Sequence, residues 1–181
     1  MLIEVKIYGR GGQGAVTAAN ILALAAYFDG LWSQSIPFFG AERRGAPVVS
    51  IVRISDKPIR IHHIVNKPDV AVVFDHRLLS QMDIELKDGE SRFILNFKNG
   101  KKLSFPYSTY VLDATSIAIE LGMISSGMPI VNTAMLGAIA KAGIVSLNSI
   151  VKAVEKHWHG ALAKKNVEAV NLGYLRTSKI R

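Results

Sequence analysis

Apolar Ile3, Val5 and Ile7 alternate with Glu4, Lys6 and Tyr8, the two-residue period of a strand. After a run of glycines, Ala15 to Tyr27 is rich in Ala and Leu, which predicts a helix stopped near Asp29-Gly30. Leu31 to Ile36 reads as a second strand. The β-branched run from Pro47 to Ile54 reads as a third, and Asp56-Lys57-Pro58 turns the chain into a short segment ending at His62-His63. That pattern predicts a hairpin. Asp69 to Phe74 is continuously apolar after its first residue, as expected of a strand buried on both faces of a parallel sheet.

Leu78 to Leu86 predicts a helix, Phe93 to Phe97 a strand, and Asn99-Gly100 a turn. Tyr110 to Leu112 leads into helical Ala114 to Leu121, and Asn132 to Ala142 reads as another helix. Leu147, Ile150, Val151 and Val154 recur at helical spacing behind Ser146, a good N-cap. Ala161 to Tyr174 completes a helical last third. This alternation predicts a three-layer α/β/α sandwich that opens with a Rossmann-like βα unit. The hairpin makes its sheet mixed, though mostly parallel. At 181 residues the chain is about one domain long, so residues 1–181 are expected to form a single domain.

Composition narrows the chemistry. The chain is 49% hydrophobic and 20% charged, enough for a buried core and unlike a disordered chain. No apolar run reaches the ~18–20 residues that span a bilayer; Ala15 to Phe28 is interrupted by Thr17 and Asn20. Met1 to Lys6 lacks the basic-then-apolar order of a signal peptide, so the expected compartment is the cytoplasm. Cysteine is absent. Iron–sulfur clusters and thiol nucleophiles need thiolates, so any electron transfer belongs to another cofactor or another subunit. The net charge of +8 favours acidic partners. It is spread along the chain apart from Arg176, Lys179 and Arg181, and no nucleic-acid module is present.

The sharpest motif is Gly9-Arg10-Gly11-Gly12-Gln13-Gly14, set between a predicted strand and a predicted helix. Glycines there permit positive φ and let an anion approach backbone N–H groups at a helix N-terminus. A dinucleotide site would also want an acidic residue ~20 positions on, where this chain has Ser33-Gln34-Ser35-Ile36-Pro37. The Lys-Ser/Thr pair of a Walker loop is missing too. Two readings stand: a phosphate cradle, or a tight βα turn packed on another subunit. A second motif runs from Pro37 to Pro47, with Glu42, Arg43 and Arg44 at its centre. Loops of this kind line the crevice at the carboxyl ends of strands. The two arginines suit phosphate or carboxylate, or pair with Glu42 to fix the loop or dock a partner. Phe38 and Phe39 are candidates for partner contact, or for folding back into the core.

GRGGQGAVTAANILA followed by SIPFFGAERRGAPVVSIVRIS resembles the gamma subunit of pyruvate and related 2-oxoacid:ferredoxin oxidoreductases. PDVAVVFD at 68–75, NTAMLGAIAKAGIVSLNSI at 132–150 and KKNVEAVNLGY at 164–174 agree with it in order. Asp75-His76-Arg77 departs from the family pattern, which has a proline near the histidine. The resemblance implies a complex that converts a 2-oxoacid and coenzyme A to acyl-CoA and CO₂ while reducing ferredoxin. Pyruvate is its expected substrate. It further implies thiamine diphosphate between alpha and beta polypeptides and [4Fe-4S] clusters on beta and delta. The gamma chain would be a structural subunit lining the coenzyme A site, inactive alone and without a redox centre. Its expected site residues are Gly9, Arg10, Gly11, Gly12, Gln13, Gly14, Arg43 and Arg44. Partners are expected to be the alpha, beta and delta subunits, with no nucleic acid and no membrane.

Other candidates carry less. His62-His63 point to opposite faces if in a strand, and His157 and His159 lie about 200° apart if helical; all four read as ordinary histidines. Asp75 and Asn132 are read as helix caps, and Gly137, inside a helix, as a point of close packing or ligand approach. No Ser/His/Asp set or carboxylate pair stands out. The alternatives to an accessory subunit are a free-standing Rossmann-type nucleotide-binding enzyme and a basic nucleic-acid-binding module.

Overall fold

Strand β1 (Leu2–Arg10) lies inside the sheet: Val5 and Ile7 point to one core and Tyr8 to another, while Glu4 on the second face is met by an ion pair. In a computed structural model of the chain it pairs antiparallel with β3 (Pro47–Ser55) and parallel with β4 (Val70–Val73). The structure describes residues 1–38, 45–61, 63–87, 89–98 and 105–180. Strands β2 (Trp32–Phe38), β5 (Arg92–Asn96), β6 (Ser108–Leu112) and β9 (Ser178–Lys179) complete a seven-stranded sheet of order β2-β3-β1-β4-β5-β6-β9. Only β3 and β9 run against the rest, so the sheet is mixed and mostly parallel. All four β4 residues are buried, as the continuous apolar run predicts.

The outer layers are unequal. Helices α1 (Ala15–Phe28), α2 (Ala114–Glu120), α3 (Asn132–Lys141), α4 (Leu147–His157) and α5 (Gly160–Arg176) share one core with Val5, Ile7, Val52, Val72 and Ile94. The opposite face, with Tyr8, Ala71, Val73, Phe93 and Leu95, packs on Leu78 and Leu86. These come from a 3-10 turn (His76–Ser80) and the irregular chain after it, not from the helix expected over 78–86. The turn stops at Gln81 because Leu78, Met82, Ile84 and Leu86 all serve this second core at a spacing no single helical stripe provides. Helix α3 is buried from Asn132 to Ala140, which its almost wholly apolar sequence allows. Gly137 explains its tightest contact: a Cβ there would meet the Val170 carbonyl oxygen of α5.

The hairpin expected between Pro47–Ile54 and the segment ending at His62-His63 does not form. Strand β3 already has β1 on one side and β2 on the other, so it has no free edge for residues 58–61. Those residues are held by a side chain instead. Arg53, almost wholly buried, donates through Nε to Glu4 Oε1 (3.1 Å), through Nη1 to the Ile61 carbonyl (2.9 Å) and through Nη2 to the His63 carbonyl. Glu4 lies directly opposite Arg53 in the ladder, and Lys87 bridges Glu4 (3.2 Å) to Asp69 (2.9 Å). Every buried charge of this cluster is therefore met, as burial requires. Ser146 caps α4 as expected, accepting from Ser149 N–H at 3.1 Å. Asp29, just past α1, accepts from Ser146 N–H (2.7 Å), Ser146 Oγ–H (2.6 Å) and Ser149 Oγ–H (2.6 Å).

Besides the short β9, a two-stranded hairpin of β7 (Ile124–Ser125) and β8 (Met128–Pro129) has no counterpart in the sequence pattern. Its turn residues Ser126 and Gly127 have φ of 47° and 78°. His157 ends α4, and Trp158 and His159 are extended between α4 and α5. His62, Asn99 and Gly100 lie outside the described residues.

Candidate functional site

The glycine motif sits where β1 ends and α1 begins, at the carboxyl edge of the parallel strands. Gly9 belongs to the strand. A Cβ there would touch Ala15 Cβ at 3.3 Å and the Phe74 ring at 3.4 Å, so its role is helix-on-strand packing. The turn then closes on itself: Gln13 N–H donates to the Arg10 carbonyl (3.0 Å), and Gln13 Oε1 accepts from Arg10 N–H (2.7 Å). It is also tied to the start of β3, since Gly11 N–H donates to the Ala46 carbonyl (2.9 Å) and Gly45 N–H to the Gly11 carbonyl (3.1 Å). The N–H groups of Gly11 and Gln13 are thus spent within the fold.

What remains open is narrower than the whole motif. Gly12 and Gly14 have φ of 98° and 81°, the left-handed region that disfavours any side chain. Gly14 is the N-cap of α1, with no side-chain cap and no acidic residue in the first turn. The first N–H groups of a helix have no intrahelical acceptor, so those of Ala15, Val16 and Thr17 present the positive end of a fourteen-residue helix to this edge. The N–H groups of Gly12 and Gly14 also carry no hydrogen bond among the described residues.

Arg10 is a clamp in this structure. Its Nε donates to Asp75 Oδ2 (2.6 Å), its Nη1 to the Gly45 carbonyl (3.1 Å) and its Nη2 to Gln81 Oε1 (3.0 Å). It joins the turn after β1, the start of β3 and the segment after β4. Asp75 accepts from Arg77 N–H (3.0 Å), capping the 3-10 turn as read from the sequence, and from Arg77 Nε (2.9 Å) and Nη2 (2.8 Å). Burial alone pushes the Asp75 carboxyl up, but the bonds from Arg77 and Arg10 outweigh it and hold the group well below the usual carboxylate range. One carboxylate between two guanidinium groups leaves this trio with one net positive charge.

Two further residues reach the motif from the far half of the chain. A Cβ on Gly12 would lie 2.5 Å from Met128 Cε, and one on Gly14 would lie 2.5 Å from Asn132 Nδ2. Asn132 does not cap α3 as expected: the N-cap is Val131, without a side-chain cap bond. Its Oδ1 accepts instead from the adjacent Thr133 N–H at 2.8 Å. The hairpin that brings Met128 in left no periodic signal, and Asn132 stands in sequence where any capping residue would. Among the described residues, no three His, Asp or Glu side chains converge as metal ligands, and no helix is long and apolar enough to cross a membrane.

The pyruvate ferredoxin/flavodoxin oxidoreductase family matches residues 4–176, nearly the whole chain. The chain belongs to that family. Within it, the resemblance is to gamma-type (PorC) subunits. The pyruvate/ketoisovalerate oxidoreductases common subunit gamma of Thermococcus kodakarensis is 47% identical over 185 residues, with 97% of each chain covered. Pyruvate synthase subunit PorC of Methanothermobacter thermautotrophicus is 45% identical over 183 residues, covering 99% of this chain and 98% of that one. The crystal structure of the pyruvate oxidoreductase subunit PORC of Thermotoga maritima superposes with a TM-score of 0.83 at 33% identity, covering 99% of both chains. Within the family the chain is of the gamma (PorC) type.

Six of the eight expected site residues, Gly9 to Gly14, are described: Gly9 and Arg10 end β1, and Gly11 to Gly14 make the turn into α1. Arg43 and Arg44 lie outside the described residues, as do Glu42 and Phe39; the chain re-enters them at Gly45, bonded to Gly11.

Proposed function

We propose that this gamma subunit supplies a phosphate cradle for coenzyme A in an enzyme that oxidatively decarboxylates pyruvate. The observation that carries this reading is the uncapped N-terminus of α1 behind two glycines of positive φ, close to the Arg10–Asp75–Arg77 trio with its one net positive charge. Free N–H groups, helix dipole and nearby guanidinium charge all favour a bound anion. Gly12, Gly14 and the first turn of α1 are the ligands; Arg10 and Gln13 hold the turn in shape, while Gly9 and Gly11 keep strand, helix and loop close. Arg43 and Arg44, two and one residues before Gly45, supply further charge-assisted bonds.

The sequence has no cysteine, so no thiolate here can hold a [4Fe-4S] cluster. Clusters and thiamine diphosphate are assigned to the alpha, beta and delta partners, which pass electrons to ferredoxin in the cytoplasm. Residues 1–181 act as one domain that binds but does not react, and the isolated chain is inactive. Phe38 and Phe39 belong to the segment that docks on those partners.

The test uses the assembled enzyme, with Gly12→Val and Arg43→Ala compared against wild type. The apparent Michaelis constant for coenzyme A is expected to rise about tenfold, the loss of one charge-assisted bond, while that for pyruvate holds. If assembly is intact and both constants stay unchanged in Arg43→Ala and Gly12→Val, the loop is scaffolding.

A further inference from the structure

Asn132 is about 97% buried, with 3% of its surface exposed, yet half of its amide is unused. The Thr133 N–H fixes which end is oxygen, because a donor faces it at 2.8 Å. The Nδ2 end has no hydrogen-bond partner among the described residues. It lies beside Gly14, at the position a side chain would fill. Buried amide donors are normally satisfied; one left open beside the uncapped start of a helix points at a missing acceptor.

Its aim is held from behind. Thr133 Oγ1–H, fully buried, donates to Asn166 Oδ1 (3.1 Å), and Asn166 Nδ2 donates to the Leu162 carbonyl (2.9 Å). This chain of bonds pins the start of α3, and with it Thr133, to α5, and the Thr133 N–H holds the Asn132 oxygen. Met128 Cε packs over Gly12 on the neighbouring side and walls the opening with apolar surface.

We propose that Asn132 Nδ2 donates a hydrogen bond to a phosphate oxygen of coenzyme A seated on the N–H groups of Gly14 to Thr17, and so selects for the phosphorylated cofactor. This rests on the reading of the glycine turn as a phosphate cradle and adds to it a ligand from the opposite half of the chain. A neutral donor adds to affinity for an anion, whereas a carboxylate in its place would repel it. Asn132→Leu therefore removes the bond, and Asn132→Asp reverses its sign.

Both variants, with Asn132→Ser as a smaller polar replacement in case the others fail to assemble, are made in the complete enzyme. Three quantities are measured: the dissociation constant of coenzyme A, that of pantetheine, which keeps the thiol but lacks phosphate, and the inhibition constant of inorganic pyrophosphate against coenzyme A. Expected is a rise of about tenfold for coenzyme A and pyrophosphate in Asn132→Leu and Asn132→Ser. The rise should be larger in Asn132→Asp, and the pantetheine constant should stay fixed in all three. Equal rises for pantetheine would mean a general structural role and would overturn the assignment. Unchanged constants overturn it too, and Arg43→Ala then separates two cases. If that variant weakens coenzyme A, the cradle stands without Asn132; if it does not, the cradle itself is misassigned.

Discussion

Gly137 of α3 and Gly173 of α5 occupy the crossing of their two helices, where each backbone fills the space of the other's missing side chain. A Cβ on Gly137 would meet the Val170 carbonyl oxygen, and one on Gly173 the Ala134 carbonyl oxygen. Helix propensity favours Ala over Gly by about 1 kcal/mol. Overpacking against rigid backbone costs about 1–3 kcal/mol or more, and here it wins. Gly137→Ala and Gly173→Ala are each expected to lower the urea unfolding free energy by about 2 kcal/mol. A neutral or stabilising result would mean that the helices part without penalty.

Gly14 and Gly30 have nearly the same backbone, with φ of 81° and 79°, but different surroundings: Asn132 crowds Gly14, while nothing lies within 4 Å of a Cβ on Gly30. Gly30→Ala should cost only the left-handed strain, about 1 kcal/mol. Gly14→Ala should cost at least 1 kcal/mol more. Equal shifts in the urea midpoint would show that the Asn132 side chain swings aside freely.

Asp75 links stability to pH. Its folded carboxyl is held below the unfolded value of about 4 because the bonds from Arg77 and Arg10 outweigh its burial. A depressed pKa means a contribution fully present above about pH 4 and lost as pH falls below it. Asp75→Asn should destabilise by about 2–3 kcal/mol at neutral pH, and its deficit against wild type should shrink steadily below pH 4. Urea titrations from pH 7 down to pH 2 read this directly; a deficit constant over that range contradicts it.

Arg53 tests the other end of β1. Its guanidinium serves Glu4 and the carbonyls of Ile61 and His63 at once, a fork that no single ammonium reproduces. Arg53→Lys should lower the urea unfolding free energy by about 3 kcal/mol. An unchanged value would mean that something other than Arg53 holds this end of the sheet.

Much of this was legible in the sequence wherever period and burial coincide. Strands β1, β3 and β4 and the helices from α1 to α5 follow apolar periodicity closely, since each buries one stripe or both faces. Residues 58–63 and 78–86 escaped it for a shared reason. Their apolar residues are anchored individually, by Arg53 or by the second core, and not by a repeating ladder. The glycine motif was visible because positive φ demands glycine. Met128 and Asn132 were not, because their role depends on where a distant hairpin and helix come to rest. Asn132 in particular carries the chemistry of a helix cap, and only the Thr133 bond shows that its oxygen turns the other way.

The site is assembled from two stretches of chain that emerge far apart in time. Gly11, Gly45 and Ala46 close the first wall from the opening quarter of the polypeptide, whereas Met128 and Asn132 add the second only once α3 has docked. Short-range closures form sooner than long-range ones. A half-made subunit would then already display its glycine turn, but without the amide and thioether that finish it. On the cradle proposed above, a phosphate would find its full set of donors only once α3 has docked.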